Sequence, residues 1–328
     1  CKMISSMKQH SILWMIRCSR TGSHQNGRNV NRALARQLIE LNNRFYRENA
    51  SSFSATRQTP WAGWERVAKE ARVALPAGAL DGSHRLRVLD LACGNMRLAP
   101  FLAQEFPYAR IDYTGIDASE DLADHSCDLL KELSNLDAHF IARDVLEPLL
   151  GEHPAPPSPD TDRAHDLACC FGFLHHVPSF ELRAALVERL CQSTRPGGIA
   201  AISFWQFMHD ERLAAKARGA TASAKVRPPF PGFDAAQLEN DDYLLGWQHA
   251  SGGYRYCHSF EESELDELAQ IAEAQGVHEI ARFSADGKSG VLNRYLVLAR
   301  GALARGGITP PRSAPLHARF PYVTTGIK

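Results

Sequence analysis

Val88-Leu89-Asp90-Leu91-Ala92-Cys93-Gly94-Asn95 is an apolar run closed by an acid, small residues and a glycine. It reads as the first strand and first turn of an open parallel sheet, the place where ligands sit beyond the carboxyl ends of the strands. Small residues in that turn let a ligand approach the backbone. A pyrophosphate-binding turn would carry GxGxxG. Here Gly94 has Ala92 and Met96 where further glycines would stand. Asp90 would repel a phosphate and suit a cationic ligand.

Around this turn, Leu86 to Leu91, Ile111 to Ile116, His139 to Ala142, Asp166 to Phe171 and Ile199 to Phe204 form five short apolar runs separated by stretches long enough for crossover helices. The alternation predicts an α/β fold with a mostly parallel sheet and right-handed crossovers. Two later runs, Glu279 to Phe283 and Arg294 to Ala299, bring the strand count to seven. Helical spacing predicts helices over residues 30–50, with a polar turn from Glu48 to Ser52 after the first, and over Trp61 to Ala74 and Phe260 to Ala274, the last closed by Gly276. The expected organisation is a disordered basic arm over 1–30, a helical segment over 31–80, the main domain over 81–300 with a substrate-side insertion over 206–258, and a disordered basic tail over 301–328. Pro-rich Gly151 to Asp162 reads as a surface loop.

Charge is balanced, with 37 basic and 37 acidic residues, but unevenly distributed. Seven basic residues and no acid lie before Glu40, and five with no acid follow Ala299, leaving 25 basic against 37 acidic residues between them, about −12. The eight cysteines make no CxxC, which points to reduced thiols and a cytoplasmic protein. The apolar run Ile12 to Ile16 is far short of the roughly 20 residues that span a bilayer, so neither membrane nor export is expected.

Two more acids close successive strands. Asp117 ends Thr114-Gly115-Ile116-Asp117, and its two oxygens suit the two hydroxyls of a ribose; Asp144 ends Phe140 to Asp144 and suits an adenine amino group. Each alone is more often a helix cap than a ligand contact; three at successive strand ends reverse that balance. After the fourth strand come Phe173-Leu174-His175-His176-Val177-Pro178, where a histidine could take a proton from a neutral acceptor or simply line the pocket.

These stretches resemble the S-adenosylmethionine-binding motifs of class I methyltransferases over roughly residues 85–300. The resemblance implies a Rossmann-like seven-stranded sheet flanked by helices, with S-adenosylmethionine as cofactor. Asp90, Ala92, Gly94 and Asn95 then hold it from the first turn, Asp117 at the ribose, and Asp144 with Val145 at the adenine, with Phe171 beside them; no metal is implied. Arg195-Pro196-Gly197-Gly198 matches the family's turn before strand five.

Phe53-Ser54-Ala55-Thr56-Arg57-Gln58-Thr59-Pro60-Trp61, together with Tyr254-Arg255-Tyr256-Cys257-His258-Ser259-Phe260 and Glu264-Leu265, resembles a narrower group: the methyltransferases of carboxymethylated wobble uridine in tRNA, including the methyltransferase domain of AlkB-like tRNA proteins. That resemblance implies tRNA, through its anticodon loop, as partner, and a small zinc-binding activator subunit as a possible one. A carboxylate is already anionic at neutral pH, so Arg57 and Arg255 become the candidate clamps and His176 the candidate catalytic histidine. Trp61, Trp247, Tyr254 and Tyr256 are candidates to stack a base. Two alternatives stand beside this: a methyltransferase for a small metabolite, suggested by the balanced charge and the insertion, and a non-catalytic S-adenosylmethionine-binding subunit, suggested by Ala92 and Met96.

Overall fold

The computed structural model of the chain describes residues 30–55, 59–123, 130–151, 164–246 and 253–301. The basic termini, the run at Ile12 to Ile16, Arg57, most of the Pro-rich loop and Trp247 lie outside them. Among the described residues no helix is long and apolar enough to cross a membrane.

The sheet has seven strands in the order β3-β2-β1-β4-β5-β9-β8, with β1 Arg85–Leu91, β2 Arg110–Asp117, β3 Leu136–Ala142, β4 His165–Cys170, β5 Thr194–Trp205, β8 Val277–Ala285 and β9 Asn293–Arg300. The first five run parallel, and β9 is antiparallel to both neighbours. This is the seven-stranded, mostly parallel α/β sheet the sequence predicts. The topological switch lies between β1 and β4, so the carboxyl end of β1 opens onto a crevice.

The central strands turn mostly apolar towards their carboxyl halves, Val88 to Leu91 with Asp90 inside, Leu167 to Cys170 and Ile199 to Phe204, because helices cover both faces there. Leu89 and Leu91 of β1 face one core with Leu34 and Leu38 of α1 (Arg32–Ala55), Leu186 and Leu190 of α4 (Phe180–Ser193), and Leu265 and Leu268 of α6 (Glu262–Ala274). Leu86 and Val88 face the other core, with Trp64 and Val67 of α2 (Ala62–Ala74) and Leu102 of α3 (Leu98–Glu105). Asn31 caps α1 by accepting from Leu34 N at 2.9 Å, and Ser179 caps α4 by accepting from Leu182 N at 3.3 Å.

Two boundaries differ from expectation. Helix α1 runs through Glu48 to Ser52, where a polar turn was expected, and the polar side chains there are accommodated by bonds to carbonyls of the preceding turn: Asn49 donates to Phe45 O at 2.8 Å and Ser52 to Asn49 O at 3.1 Å. The Arg195 to Gly198 stretch, expected as a turn before strand five, is part of β5. Its pairing with β4 shifts register between His165 and Leu167, and Gly197 takes φ +79°.

Within residues 206–258, α5 (Glu211–Val226) leads to a two-stranded hairpin, β6 (Asp242–Gly246) and β7 (Tyr254–His258). Strand β7 lies against α1: Asn42 Oδ1 accepts from Tyr256 N at 2.7 Å, and Asn42 Nδ2 donates to Tyr256 O at 3.2 Å. One hairpin strand and the N-terminal helix are thereby brought to the same side of the molecule.

Candidate functional site

At the carboxyl ends of β1 to β4 lies a cavity of about 860 Å³. Asp90, Ala92, Gly94, Asn95, Asp117, Asp144, Val145 and Phe171 all line it, as do His176 and Arg255. Residues separated by more than 150 positions thus share one chamber.

The turn after β1 has an unusual backbone. Ala92, Gly94 and Met96 take φ of 59°, 54° and 54°, so three alternate residues occupy the left-handed region, where a side chain is strained. The spacing is that of the glycines a glycine-rich turn would have. A Cβ placed on Gly94 would meet nothing within 4 Å, which leaves open space at the cavity wall beside it. Gly94 N donates to Asp117 Oδ2 at 2.8 Å, tying the turn to the end of β2.

Both later acids serve local turns and the chamber together. Asp117 Oδ1 accepts from Ser119 N at 2.9 Å, and Asp144 Oδ1 accepts from Leu146 N at 2.8 Å. Asp144 Oδ2 takes a further bond from Asn43 of α1 at 3.0 Å. Burial pushes the Asp117 carboxyl above its ordinary range. Asp90, 4% exposed, accepts from Tyr113 Oη at 2.6 Å, and burial pushes its carboxyl up to about 7.

The opposite wall holds a chain of polar groups. Tyr46 Oη lies 2.6 Å from His176 Nε2, and Arg255 Nη1 donates to Tyr46 Oη at 3.2 Å. His176 Nδ1 lies 3.1 Å from Tyr256 O, an acceptor only, so in the neutral ring Nδ1 carries the proton and Nε2 accepts from Tyr46. The Arg255 guanidinium lies 5.4 Å from the Phe45 ring centre and 5.7 Å from that of Trp205, and the residue is 6% exposed. Arg97, also on the wall, donates to Thr59 O at 2.7 Å and stands over Trp61 and Trp64 at 4.8 and 5.0 Å; burial lowers its pKa to about 10.

Tyr46, Asn42, Asn43 and Arg97 were not among the residues singled out from sequence. A signal was there in the adjacent Asn42 and Asn43, set inside the apolar repeat of α1 and therefore in need of partners once buried. Of the aromatic candidates for stacking, Trp61 lines the chamber and Tyr254 is half-buried. Tyr256 is fully buried with its hydroxyl donating to Asp242 at 2.6 Å, so it is a core residue and not a stacking platform.

Residues 89–200 match the family described as a methyltransferase domain. No curated protein matches the chain. Among solved structures it is similar to a SAM-dependent methyltransferase from Methanosarcina mazei, at 16% identity over 66% of this chain and 93% of that one, with a TM-score of 0.49. It is also similar to magnesium protoporphyrin IX methyltransferase from Synechocystis with bound SAH, at 19% identity over 73% and 84%, with a TM-score of 0.44. A third, a S-adenosylmethionine-dependent methyltransferase from Clostridium acetobutylicum, shares 10% identity over 79% and 99%, with a TM-score of 0.45.

Residues 89–200 span the turn after β1 on a sheet of this order, with Asp90 one residue before the end of β1, Asp117 closing β2 and Asp144 two residues past β3; the chain is an S-adenosylmethionine-dependent methyltransferase. Its cofactor is S-adenosylmethionine, and the non-catalytic alternative is set aside. The residues present fit that group. The space beside Gly94 would be filled by any side chain there, and the buried Ser119 hydroxyl finds no hydrogen-bond partner among the described residues. Asp117 and Asp144 offer acceptors to its hydroxyl and amino groups, and Asp90 a carboxylate to its cationic end.

Proposed function

We propose that this enzyme methylates a carboxylate, and that the carboxylate belongs to a carboxymethyl group on the wobble uridine of tRNA. The observation that carries the reading is the Arg255 guanidinium on the chamber wall, bonded to Tyr46 beside His176. A guanidinium orients both oxygens of a carboxylate, and a carboxylate is ionised at neutral pH. When bound, S-adenosylmethionine supplies an electrophilic methyl group.

The protein's own work is then placement. Arg255 holds the acceptor, and Tyr46 holds Arg255. His176, with Nε2 accepting from Tyr46, fixes the tyrosine and is not required to take a proton from the acceptor. Reactants held in line in one chamber react far faster than free ones. The sequence resemblance in residues 53–61 and 254–265 supports the nucleoside, and a cytoplasmic enzyme with a small zinc-binding activator subunit belongs to the same reading.

The test incubates the purified protein with methyl-labelled S-adenosylmethionine and tRNA carrying carboxymethyluridine, followed by mass spectrometry of the nucleosides. The expected product is an alkali-labile methyl ester, lost in Arg255→Met. Unchanged tRNA nucleosides overturn the reading. A small carboxylate metabolite is the second reading, favoured by the hairpin strand that closes one wall of the chamber; label in small molecules and none in tRNA would select it.

A further inference from the structure

The charge left after the basic termini is removed is about −12, a poor surface for a polyanion. One element breaks that rule. Residues 211–227, Glu-Arg-Leu-Ala-Ala-Lys-Ala-Arg-Gly-Ala-Thr-Ala-Ser-Ala-Lys-Val-Arg, cover α5 and its C-cap and carry Arg212, Lys216, Arg218, Lys225 and Arg227 against Glu211 alone. All five cations are exposed, and none forms an ion pair among the described residues. Some exposed basic groups elsewhere are paired, Arg47 with Glu40, Arg72 with Glu105 and Arg85 with Asp137, and others stand singly; what sets α5 apart is five exposed cations on one element against a single acid.

The helix is also fixed relative to the chamber. Its inner face buries Ala214, Ala217 and Ala224, and Thr221 Oγ1 accepts from Leu244 N of β6 at 2.9 Å. Strand β6 pairs with β7, and Leu245 stands opposite Arg255 in that pairing. Sixteen residues at ~1.5 Å each make a rod of roughly 24 Å. A rigid cationic rod is therefore bolted to the hairpin whose other strand supplies the carboxylate clamp.

We infer that the exposed face of α5 is a docking surface for the phosphate backbone of the RNA that presents the acceptor nucleotide. This rests on the reading of the acceptor as a tRNA nucleotide. Phosphate contacts carry no sequence information but fix register and orientation, which is what an enzyme needs when one base of a long polyanion must enter the chamber. The acidic remainder of the middle then disfavours other registers by like-charge repulsion.

The experiment compares the full chain with two variants, Arg212→Gln/Lys216→Gln/Arg218→Gln and Lys225→Gln/Arg227→Gln, on a tRNA anticodon stem-loop by fluorescence anisotropy across salt concentration. Each lost phosphate contact lowers the slope of log affinity against log salt by about 0.7–0.9. The triple variant is therefore expected to lose about two units of slope and roughly tenfold or more in affinity at physiological salt. Cofactor binding by calorimetry and the melting temperature should not change, since the substituted side chains are exposed. Wild-type slope and affinity in both variants overturn the inference, as does a wild-type protein that binds no stem-loop. The acceptor reading is scored separately, by methyl transfer from the wild-type enzyme. Transfer to tRNA with unaltered variants sinks the surface alone, whereas lost slope without transfer to tRNA sinks the acceptor reading and keeps the surface.

Discussion

Arg183 is the largest fully buried side chain among the described residues, and its removal tests the account of how the acceptor wall is held. At 1% exposure, it donates from Nε to Glu264 at 2.6 Å, from Nη2 to Glu239 at 2.6 Å and from Nη1 to Val177 O at 3.1 Å. His258 completes the cluster, bridging Glu264 and Asp242 at 2.8 Å each. Arg183→Met fills most of the volume but leaves buried Glu239 without its cation and Glu264 with His258 alone. Breaking a buried pair from one side costs about 3–5 kcal/mol, or roughly 6–20 °C of melting temperature for a domain of this size. The sign with pH is fixed. Burial alone would raise the Glu264 carboxyl, but Arg183 and His258 hold it at about 2, below its ordinary 4.5. In the wild type its contribution is therefore fully present above about 4.5 and lost only as pH falls towards 2. In the variant His258 alone opposes burial, so the Glu264 carboxyl moves up from about 2 towards its ordinary value. The gap between the two proteins should be full above about pH 4.5 and narrow as pH falls towards 2, in urea unfolding followed by circular dichroism. A loss below about 1 kcal/mol at pH 7.5 would refute the reasoning, as would one that does not depend on pH. Adding Glu239→Gln and Glu264→Gln to the variant should recover much of the loss.

Other consequences follow from single residues. Ala92→Gly removes a left-handed strain of about 1–2 kcal/mol against a glycine entropy cost of about 0.5–1, so a small rise in melting temperature is expected and a fall would contradict the strain. Gly94→Ala should bind S-adenosylmethionine at least tenfold more weakly in calorimetry, and equal affinity would show that the space beside it is not used. His258 is opposed by burial and Arg183, yet Glu264 and Asp242 raise its pKa to about 8 from 6.5. The resulting stabilisation, about 2 kcal/mol, is complete below pH 6.5 and fades as pH rises through 8; His258→Gln should flatten that decline, and an unchanged pH profile counts against the cluster. Because burial lifts Asp90 to about 7, a cation beside it favours the ionised form. Cofactor binding should then release protons near pH 7, seen in calorimetry with two buffers of different ionisation enthalpy, and Asp90→Asn should bind without that release.

The sheet was legible because its parallel strands, covered on both faces, read as continuous apolar runs, and its acids stood out at their ends. The acceptor wall was not, because its bonds join distant positions. Asn42 reaches Tyr256 across 214 residues, and Tyr46 reaches His176 across 130. No local period reports such pairs. The segment from Tyr254 to Leu265 drew attention as a family signature, but its residues divide: Arg255 faces the chamber, while Tyr256, His258 and Glu264 lock the hairpin to α4 and α6. A motif can therefore be kept for the clamp and for the frame that aims it, and the residue types alone do not separate the two. A buried tyrosine and a stacking tyrosine look the same in a sequence.

The turn after β1 shows the opposite case, in which the residues suggested a loss that the backbone does not show. Ala92 and Met96 stand where glycines would, and their presence suggested a weakened or absent cofactor site. The backbone takes the left-handed conformation at 92, 94 and 96 all the same. What a glycine at either end would supply is conformational ease, and that ease is replaced by support from the surroundings. Met96 is 1% exposed in the core around Trp64 and Phe101, and Cys93 N is held by Ile116 O at 3.2 Å. At the central position a Cβ would project into open space beside the chamber. Gly94 is therefore the position whose missing side chain leaves room for a ligand, and at Ala92 and Met96 the fold bears the strain that keeps the same turn.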